Sequence, residues 1–256
     1  MTSRSALPLL LLAALAAAFL MSYSALSAAS VEPAPEPLAT VSPELPLPAP
    51  PAPERRPRPR WRSVVVRRSV PLRERPNGRV VTRVGTRTEF GSARVMSVAA
   101  RRGPWLGVVS TEMPNGKLAW VHRKAGLRLR RAAYSLHADL SERRLELHKG
   151  GRLIRSISVA IGRPGSETPT GRFAVTDKLR GGNYGPYYGC CILALNAHQP
   201  NLPAGWQGGN RIAIHGTNSP GSIGSPASAG CLRAADSDLE VLMRRVPLGT
   251  PVFIKV

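Results

Sequence analysis

Arg211-Ile-Ala-Ile-His215-Gly-Thr-Asn-Ser-Pro-Gly-Ser-Ile-Gly-Ser-Pro-Ala-Ser228-Ala-Gly230-Cys231-Leu-Arg233 sets a histidine at the end of a short apolar run and a cysteine sixteen residues later. Ile212 and Ile214 alternate with Ala213, the period-2 pattern of a half-buried strand, which predicts His215 at a strand end facing a cleft. Gly216, Gly221, Gly224 and Gly230 allow the intervening Gly/Ser/Pro loop to fold back on that strand. Beyond Cys231 the spacing predicts a helix, with Asp236 as N-cap and Leu239, Leu242, Met243 and Val246 recurring on one side before Pro247 and Gly249.

A neutral thiol is a poor nucleophile near pH 7, so acyl transfer at cysteine needs a neighbouring base or a local positive potential. His215 is the candidate base for Cys231. A Gly-Cys pair on a turn ahead of a helix also offers backbone N–H groups to a developing oxyanion. Taken singly, a cysteine is more often a small buried hydrophobe and a histidine a satisfied polar group. The surrounding pattern is what raises the pair above that reading.

His215-Gly-Thr-Asn, Pro220-Gly-Ser-Ile-Gly224 and Ser228-x-Gly230-Cys231-Leu-Arg233, in this order, resemble the signature of the L,D-transpeptidase family of peptidoglycan-remodelling enzymes. Thr168-Pro-Thr-Gly171-Arg-Phe173 resembles an early element of the same family, and Leu145-Glu-Leu-His148 its opening strand. The resemblance covers roughly residues 134 to 256. One position departs from it: the family usually has histidine between the Ser and Gly of the cysteine motif, and here that residue is Ala229.

The resemblance implies that Cys231 attacks the carbonyl of an L-to-D peptide bond in a donor stem, releases terminal D-alanine and forms a thioester. An amine of a neighbouring stem, the side chain of meso-diaminopimelate, then resolves it. His215 serves as base and then as acid. Ser228, Gly230 and the Cys231 amide are candidates for the oxyanion site, and Tyr188 and Thr217 for contact with substrate. Arg233 is either a carboxylate holder or a buttress that bonds backbone carbonyls. Alternatives within reach of the same residues are an L,D-carboxypeptidase or endopeptidase, in which water resolves the thioester, and a non-catalytic wall-binding protein. The resemblance also implies acylation of Cys231 by carbapenem-type β-lactams.

Cys190 and Cys191 are adjacent, and metal ligation by them is disfavoured because neighbouring strand residues point to opposite faces. The preferred reading has one packed inward and the other facing the cleft or a turn; a bond between them, leaving Cys231 as the odd thiol, is the rarer alternative. His122, His137 and His148 are dispersed without ligand spacing, and no phosphate-cradling or cofactor fingerprint occurs. The expectation is chemistry with no metal and no cofactor.

The fold class expected is mainly β: an L,D-transpeptidase-like β-sandwich over residues 133–256 with one helix after the cysteine, preceded by a small SH3-like β-barrel over 62–132. Strand candidates in the second unit are Leu145–His148, Leu153–Ile161, Arg172–Thr176, Ile192–Leu195, Arg211–Ile214 and Pro251–Val256. In the first they are Arg62–Val66, Val80–Thr82, Ala93–Val98, Trp105–Val109 and Leu118–Val121, separated by Pro76-Asn77-Gly78 and Pro114-Asn115-Gly116 turns. The Trp105-Leu-Gly-Val and Leu-Ala-Trp120-Val pieces resemble bacterial SH3-like wall-associated domains.

Residues 1–30 read as a secretory signal or an N-terminal anchor, with Arg4 ahead of an apolar run from Leu7 to Met21 and small residues through Ser30. Residues 31–61 are dominated by Pro, Ala, Glu and Arg and predict an extended spacer, on the order of 90 Å long at about 3.1 Å per residue. The expected setting is extracytoplasmic, with membrane contact only through an uncleaved leader. Lys plus Arg number 36 against 15 Asp plus Glu, a formal charge of +21 that invites a nucleic-acid reading. The leader, the lack of a nucleic-acid motif and an aromatic content of 5% argue against it. The partners expected are peptidoglycan stem peptides and anionic wall polymers, attracted by a basic surface and released by salt.

Overall fold

A computed structural model describes residues 61–256; the leader and most of the spacer lie outside the described residues. The first sheet is built from β1 (Trp61–Val66), β2 (Val70–Arg73), β3 (Val80–Val84), β4 (Val95–Arg102), β5 (Trp105–Val108), β6 (Ala119–His122) and β7 (Leu127–Ala132). Its order is β3-β2-β6-β5-β4-β1-β7, and every neighbouring pair is antiparallel. Val64, Val66, Val70, Leu72, Val84, Met96, Leu106, Val108 and Val121 form one apolar core beneath it. Two of these strands carry no clear sequence signal. β2 contains Pro71, and β7 reads Leu-Arg-Leu-Arg-Arg-Ala with four consecutive exposed residues, yet it pairs with β1 over six positions. Pairing to a neighbour, not side-chain burial, makes β7 a strand. The two turns that were legible behave as their chemistry requires: Asn77 takes φ 57° and Gly116 φ 77°.

The second sheet has eight strands: β8 (Tyr134–Asp139), β9 (Arg144–Lys149), β10 (Arg152–Ser158), β12 (Gly171–Arg180), β13 (Cys191–His198), β14 (Arg211–His215), β16 (Leu232–Arg233) and β17 (Pro251–Lys255). Their order is β10-β9-β8-β17-β12-β13-β14-β16, and β11 (Ile161–Gly162) and β15 (Pro226–Ser228) form a separate parallel pair. The ten-residue β12 joins two layers. Gly171–Ala174 pair with β17, a bulge falls between Val175 and Asp177, and the remainder pairs with β13. Leu136, Leu145, Leu147 and Ile157 from one layer meet Leu193, Leu195, Ile212, Ile214 and Leu232 from the other in a single core. Each such side chain contributes about 1.5–3 kcal/mol when fully buried. The mainly β sandwich with one helix is therefore the observed architecture.

That helix, α1, runs Asp236–Arg245 and seals the core with Leu239 and Leu242. Its N-cap is Ala235, with no side-chain cap; Asp236 stands one position inside, contrary to its expected capping role. The carboxylate is used elsewhere. Its Oδ2 accepts the Cys190 N–H at 3.0 Å and its Oδ1 the Thr217 N–H at 3.2 Å. A charge at the first helical turn still favours the helix, so one residue serves the dipole and two loops together.

The two sheets share side-chain contacts. Arg172 donates to the Val98 carbonyl at 2.7 Å, and its guanidinium lies 5.4 Å from the Trp61 ring and 5.5 Å from Phe253. Thr88 donates to Asp177 at 2.5 Å, and Arg211 pairs with Glu89. His137 and His148, on adjacent strands, pack with ring centroids 4.6 Å apart and planes tilted by 57°. Among the described residues, no helix is long and apolar enough to cross a membrane.

Candidate active site

β14 and β16 are parallel neighbours, with Ile214 beside Leu232 and His215 beside Arg233. Ile214 and Leu232 are fully buried in the sandwich core. Side chains alternate along a strand, so Ala213, His215 and Arg233 project from the opposite face. Extending the register by one residue sets Cys231 beside Ala213, consistent with a hydrogen bond between the thiol and the Ala213 backbone. Cys231 and His215 thus occupy one face as diagonal neighbours, a spacing of roughly 7–8 Å at the backbone. The strand-end position expected for His215 is the observed one.

His215 has no exposed surface. Tyr188 and Tyr187, from a 3-10 turn at Pro186–Tyr188, roof it with ring centroids 4.9 and 5.6 Å away. Its Nδ1 is 2.6 Å from the Gly216 carbonyl, an acceptor, so Nδ1 carries the proton and Nε2 is the free base. Nε2 is buried without a hydrogen-bond partner among the described residues. Burial pulls the imidazole down to about 4, against opposing effects of the Gly216 carbonyl and the Asp236 carboxylate. Burial pushes the Cys231 thiol up to about 11, offset in part by the Ala213 backbone. At neutral pH the resting pair is therefore uncharged imidazole and thiol. Tyr188 is raised as well, through burial first and then the proximity of Cys231.

Cys231 opens on a cleft whose walls include Tyr187, Tyr188, Gln199, Trp206, Ile212 and the methyl group of Ala229. The Ser228 hydroxyl donates to the Cys231 carbonyl at 2.6 Å and accepts the Gly230 N–H at 3.0 Å. Both groups are spent within the turn that carries the cysteine. Arg233, 7% exposed, bonds the Tyr187 hydroxyl and stacks on that ring at 4.4 Å. Its Nε has no partner, and neither a carboxylate nor a backbone carbonyl holds it. Thr217 receives no side chain from the cleft; its N–H meets Asp236 and its hydroxyl accepts the Ser219 N–H at 3.0 Å.

Cys190 and Cys191 are bonded to each other, and Cys231 is the free cysteine. The preferred sequence reading had treated them as separate thiols. Adjacent cysteines here sit where the chain leaves a tight Gly189 turn, φ 57°, to enter β13. Asp236 closes that junction. A Cβ on Gly189 would stand 2.2 Å from its Oδ1, and one on Gly216 2.0 Å, so two glycines are needed for the carboxylate to reach both backbones. Two roles at the site were not legible in the sequence: that of Asp236, whose Asp-before-helix pattern signals a cap, and the contact of Gln199, in the rim segment Asn196–Asn201, with the turn that carries Cys231.

Residues 133–254 match the family model described as YkuD, L,D-transpeptidase catalytic domain. Two Bacillus proteins that bear the name L,D-transpeptidase YkuD, from Bacillus licheniformis and Bacillus subtilis, are each 32% identical over 123 residues, which is 47% of this chain and 65% of theirs. The chain thus spans just under two thirds of the length of these curated relatives. A solved L,D-transpeptidase from Mycobacterium smegmatis is 18% identical, with a TM-score of 0.38 over 54% of this chain and 73% of that one. L,D-transpeptidase 3 from Mycobacterium tuberculosis, with a faropenem-derived adduct, is 15% identical, with a TM-score of 0.40 over 64% and 91%. In its histidine and cysteine motifs and in the family match, the segment 133–254 is similar to the L,D-transpeptidase catalytic domains described as YkuD.

Proposed function

We propose that this domain cross-links peptidoglycan stem peptides through a thioester on Cys231. The observation that carries the reading is the common face of Cys231 and the unprotonated, partnerless Nε2 of His215. With both groups neutral at rest, the imidazole accepts the thiol proton as sulfur bonds to the carbonyl carbon of an L-to-D peptide bond. Collapse of the tetrahedral adduct breaks the C–N bond, and the imidazolium returns the proton to the amine of departing D-alanine. The side-chain amine of a neighbouring diaminopimelate then adds to the thioester carbonyl, the C–S bond breaks, and His215 passes the amine proton to sulfur. Each cycle exchanges one amide for another and regenerates the thiol.

The Gly230 N–H is already committed to Ser228, so the Cys231 N–H is our assigned oxyanion donor. Tyr188 lines the cleft on which Cys231 opens, and Arg233 is packed against the neighbouring Tyr187. The leader-like residues 1–30, the spacer and the charge of +21 support an extracytoplasmic site of action, where anionic wall polymers would concentrate the protein.

The test is incubation of the secreted form with a disaccharide carrying a tetrapeptide stem, followed by mass analysis. A dimer lacking one D-alanine is expected. A shortened monomer would make the domain a hydrolase, and unchanged substrate would remove the enzymatic reading. Cys231→Ser must abolish turnover; retained activity there overturns the thioester.

A further inference from the structure

Gln199 is 4% exposed and lies just past the end of β13. Its Nε2 faces three backbone carbonyls: Ala229 at 3.0 Å, and Ser166 and Glu167 at 3.1 Å each. Its Oε1 accepts the Asn201 N–H at 3.1 Å, and its own N–H donates to Asn210 at 2.7 Å. Ala229 lies two residues before Cys231. At Gly230, φ 115°, an added Cβ would stand 2.1 Å from the Gln199 Nε2. The amide therefore rests against the turn that presents the thiol, at a separation that only glycine permits.

The residue before Gln199 is held from the other sheet. Asn115, in the turn between β5 and β6, donates to the His198 carbonyl at 2.7 Å and accepts the His198 N–H at 3.0 Å. The His198 ring meets the Thr111 carbonyl through Nε2 at 2.8 Å and Asn210 through Nδ1 at 3.2 Å. A paired amide with both bonds made is a directional contact. The chain of contacts runs Asn115, His198, Gln199, Ala229–Gly230, Cys231, without a gap.

We propose that Gln199 is the positioning residue of the nucleophile turn and that the upstream β unit holds it in register through Asn115. This rests on the reading of Cys231 as the nucleophile. The upstream unit is then part of the catalytic apparatus as well as any tether it provides. Loss of the Gln199 amide releases the Ala229 carbonyl and lets the 228–231 turn relax toward solvent. The thiol becomes easier to alkylate and worse aligned for acylation.

The test uses the full chain, in which Cys231 is the free thiol, with Gln199→Ala, Asn115→Ala and the double variant. Two rates are read at 25 °C beside the melting temperature: alkylation by iodoacetamide at pH 8, and acylation by imipenem followed by mass. In Gln199→Ala, alkylation is expected to rise at least about 3-fold while acylation falls about 10-fold or more, with Asn115→Ala moving both in the same directions by less. The double variant should match Gln199→Ala alone, because the two residues act in series. Transient opening of a less stable variant raises alkylation by itself but leaves acylation of the folded majority unchanged, so a fall of about 10-fold in acylation at 25 °C in a variant that melts well above that temperature is outside what lowered stability alone produces. Unchanged rates with a lower melting temperature, or two rates falling together, overturn the proposal. If Gln199→Ala does not fold, Asn115→Ala alone decides by the same crossing. Wild-type protein that imipenem never acylates refutes the nucleophile reading, whereas the alkylation arm still reports on the turn.

Discussion

The Nδ1–H of His215 donates to the carbonyl of Gly216, the next residue in its own chain, at 2.6 Å. The bond needs no third side chain. It fixes the tautomer from within the strand end, so the orienting role that a carboxylate often takes is filled by backbone, and Nε2 is left as the base.

A buried, depressed imidazole sets the acid limb of the reaction. With His215 at about 4, acylation of the enzyme should hold its rate from pH 7 down to near pH 5 and decline around pH 4. A pH series of imipenem acylation rates checks this; an inflection near 6.5 would contradict the geometry. His215→Gln should slow acylation by about 10²–10⁴-fold, the usual contribution of a positioned base.

The same shift has a consequence for stability. A base whose folded value lies below its unfolded 6.5 contributes fully above pH 6.5 and loses that contribution as pH falls toward 4, because the unfolded chain takes up the proton first. The loss is about 3 kcal/mol across that window. Urea midpoints at pH 7 and pH 4 measure it, and His215→Gln should flatten the difference.

Asp236 offers a sharper perturbation. Its two oxygens satisfy the Cys190 and Thr217 N–H groups, and hydrogen bonds to a charged acceptor are worth about 1.5–3 kcal/mol each. Asp236→Ala should lower stability by roughly 3–6 kcal/mol and, by removing a nearby negative charge, move the acid limb of acylation to still lower pH. A limb that stays where it is would mean the carboxylate is not felt by the imidazole.

Gly216→Ala should fail for a different reason. The methyl group would stand 2.0 Å from the Asp236 carboxylate, forcing either the Thr217 contact or the His215 strand end to shift. We expect a melting temperature lower than wild type, with acylation slowed. In the Asp236→Ala background the same methyl group has room, so the penalty should shrink there, as a double-mutant cycle would show.

Arg172 tests the joint between the sheets. Its guanidinium packs against Trp61 and Phe253, whose rings also touch each other at 4.9 Å, and bonds Val98. Arg172→Ala should cost about 1–3 kcal/mol through lost stacking and an unpaired carbonyl. Arg172→Lys should recover little of it, since an ammonium cannot stack on two rings. Chemical denaturation of both variants is the measurement.

The strand before His215, the helix after Cys231 and the sandwich class were legible because each depends on local periodicity. Ile212 and Ile214 announce a buried face, and Leu239 and Leu242 announce another. β7 was not legible, since its short Leu-Arg alternation marks no buried face, with Leu129 exposed, and only the partner strand β1 supplies the ladder. Asp236 was misread as a cap because its position before a helix is identical, in sequence, to that of a residue reaching back to two loops.

By itself the sequence singled out Cys231 and His215 as the candidate pair, together with the glycine-rich path between them and the helix that follows. Only the tertiary structure decided that both project from one face, that two tyrosines cover the imidazole, and that Gln199, next to the His198 that Asn115 holds, reaches the turn that carries Cys231. Periodicity reports which side of a strand a residue takes. It carries no information about which distant segment will supply the partner for a buried amide or carboxylate, because that choice is made when sheets pack and unsatisfied polar groups must find each other.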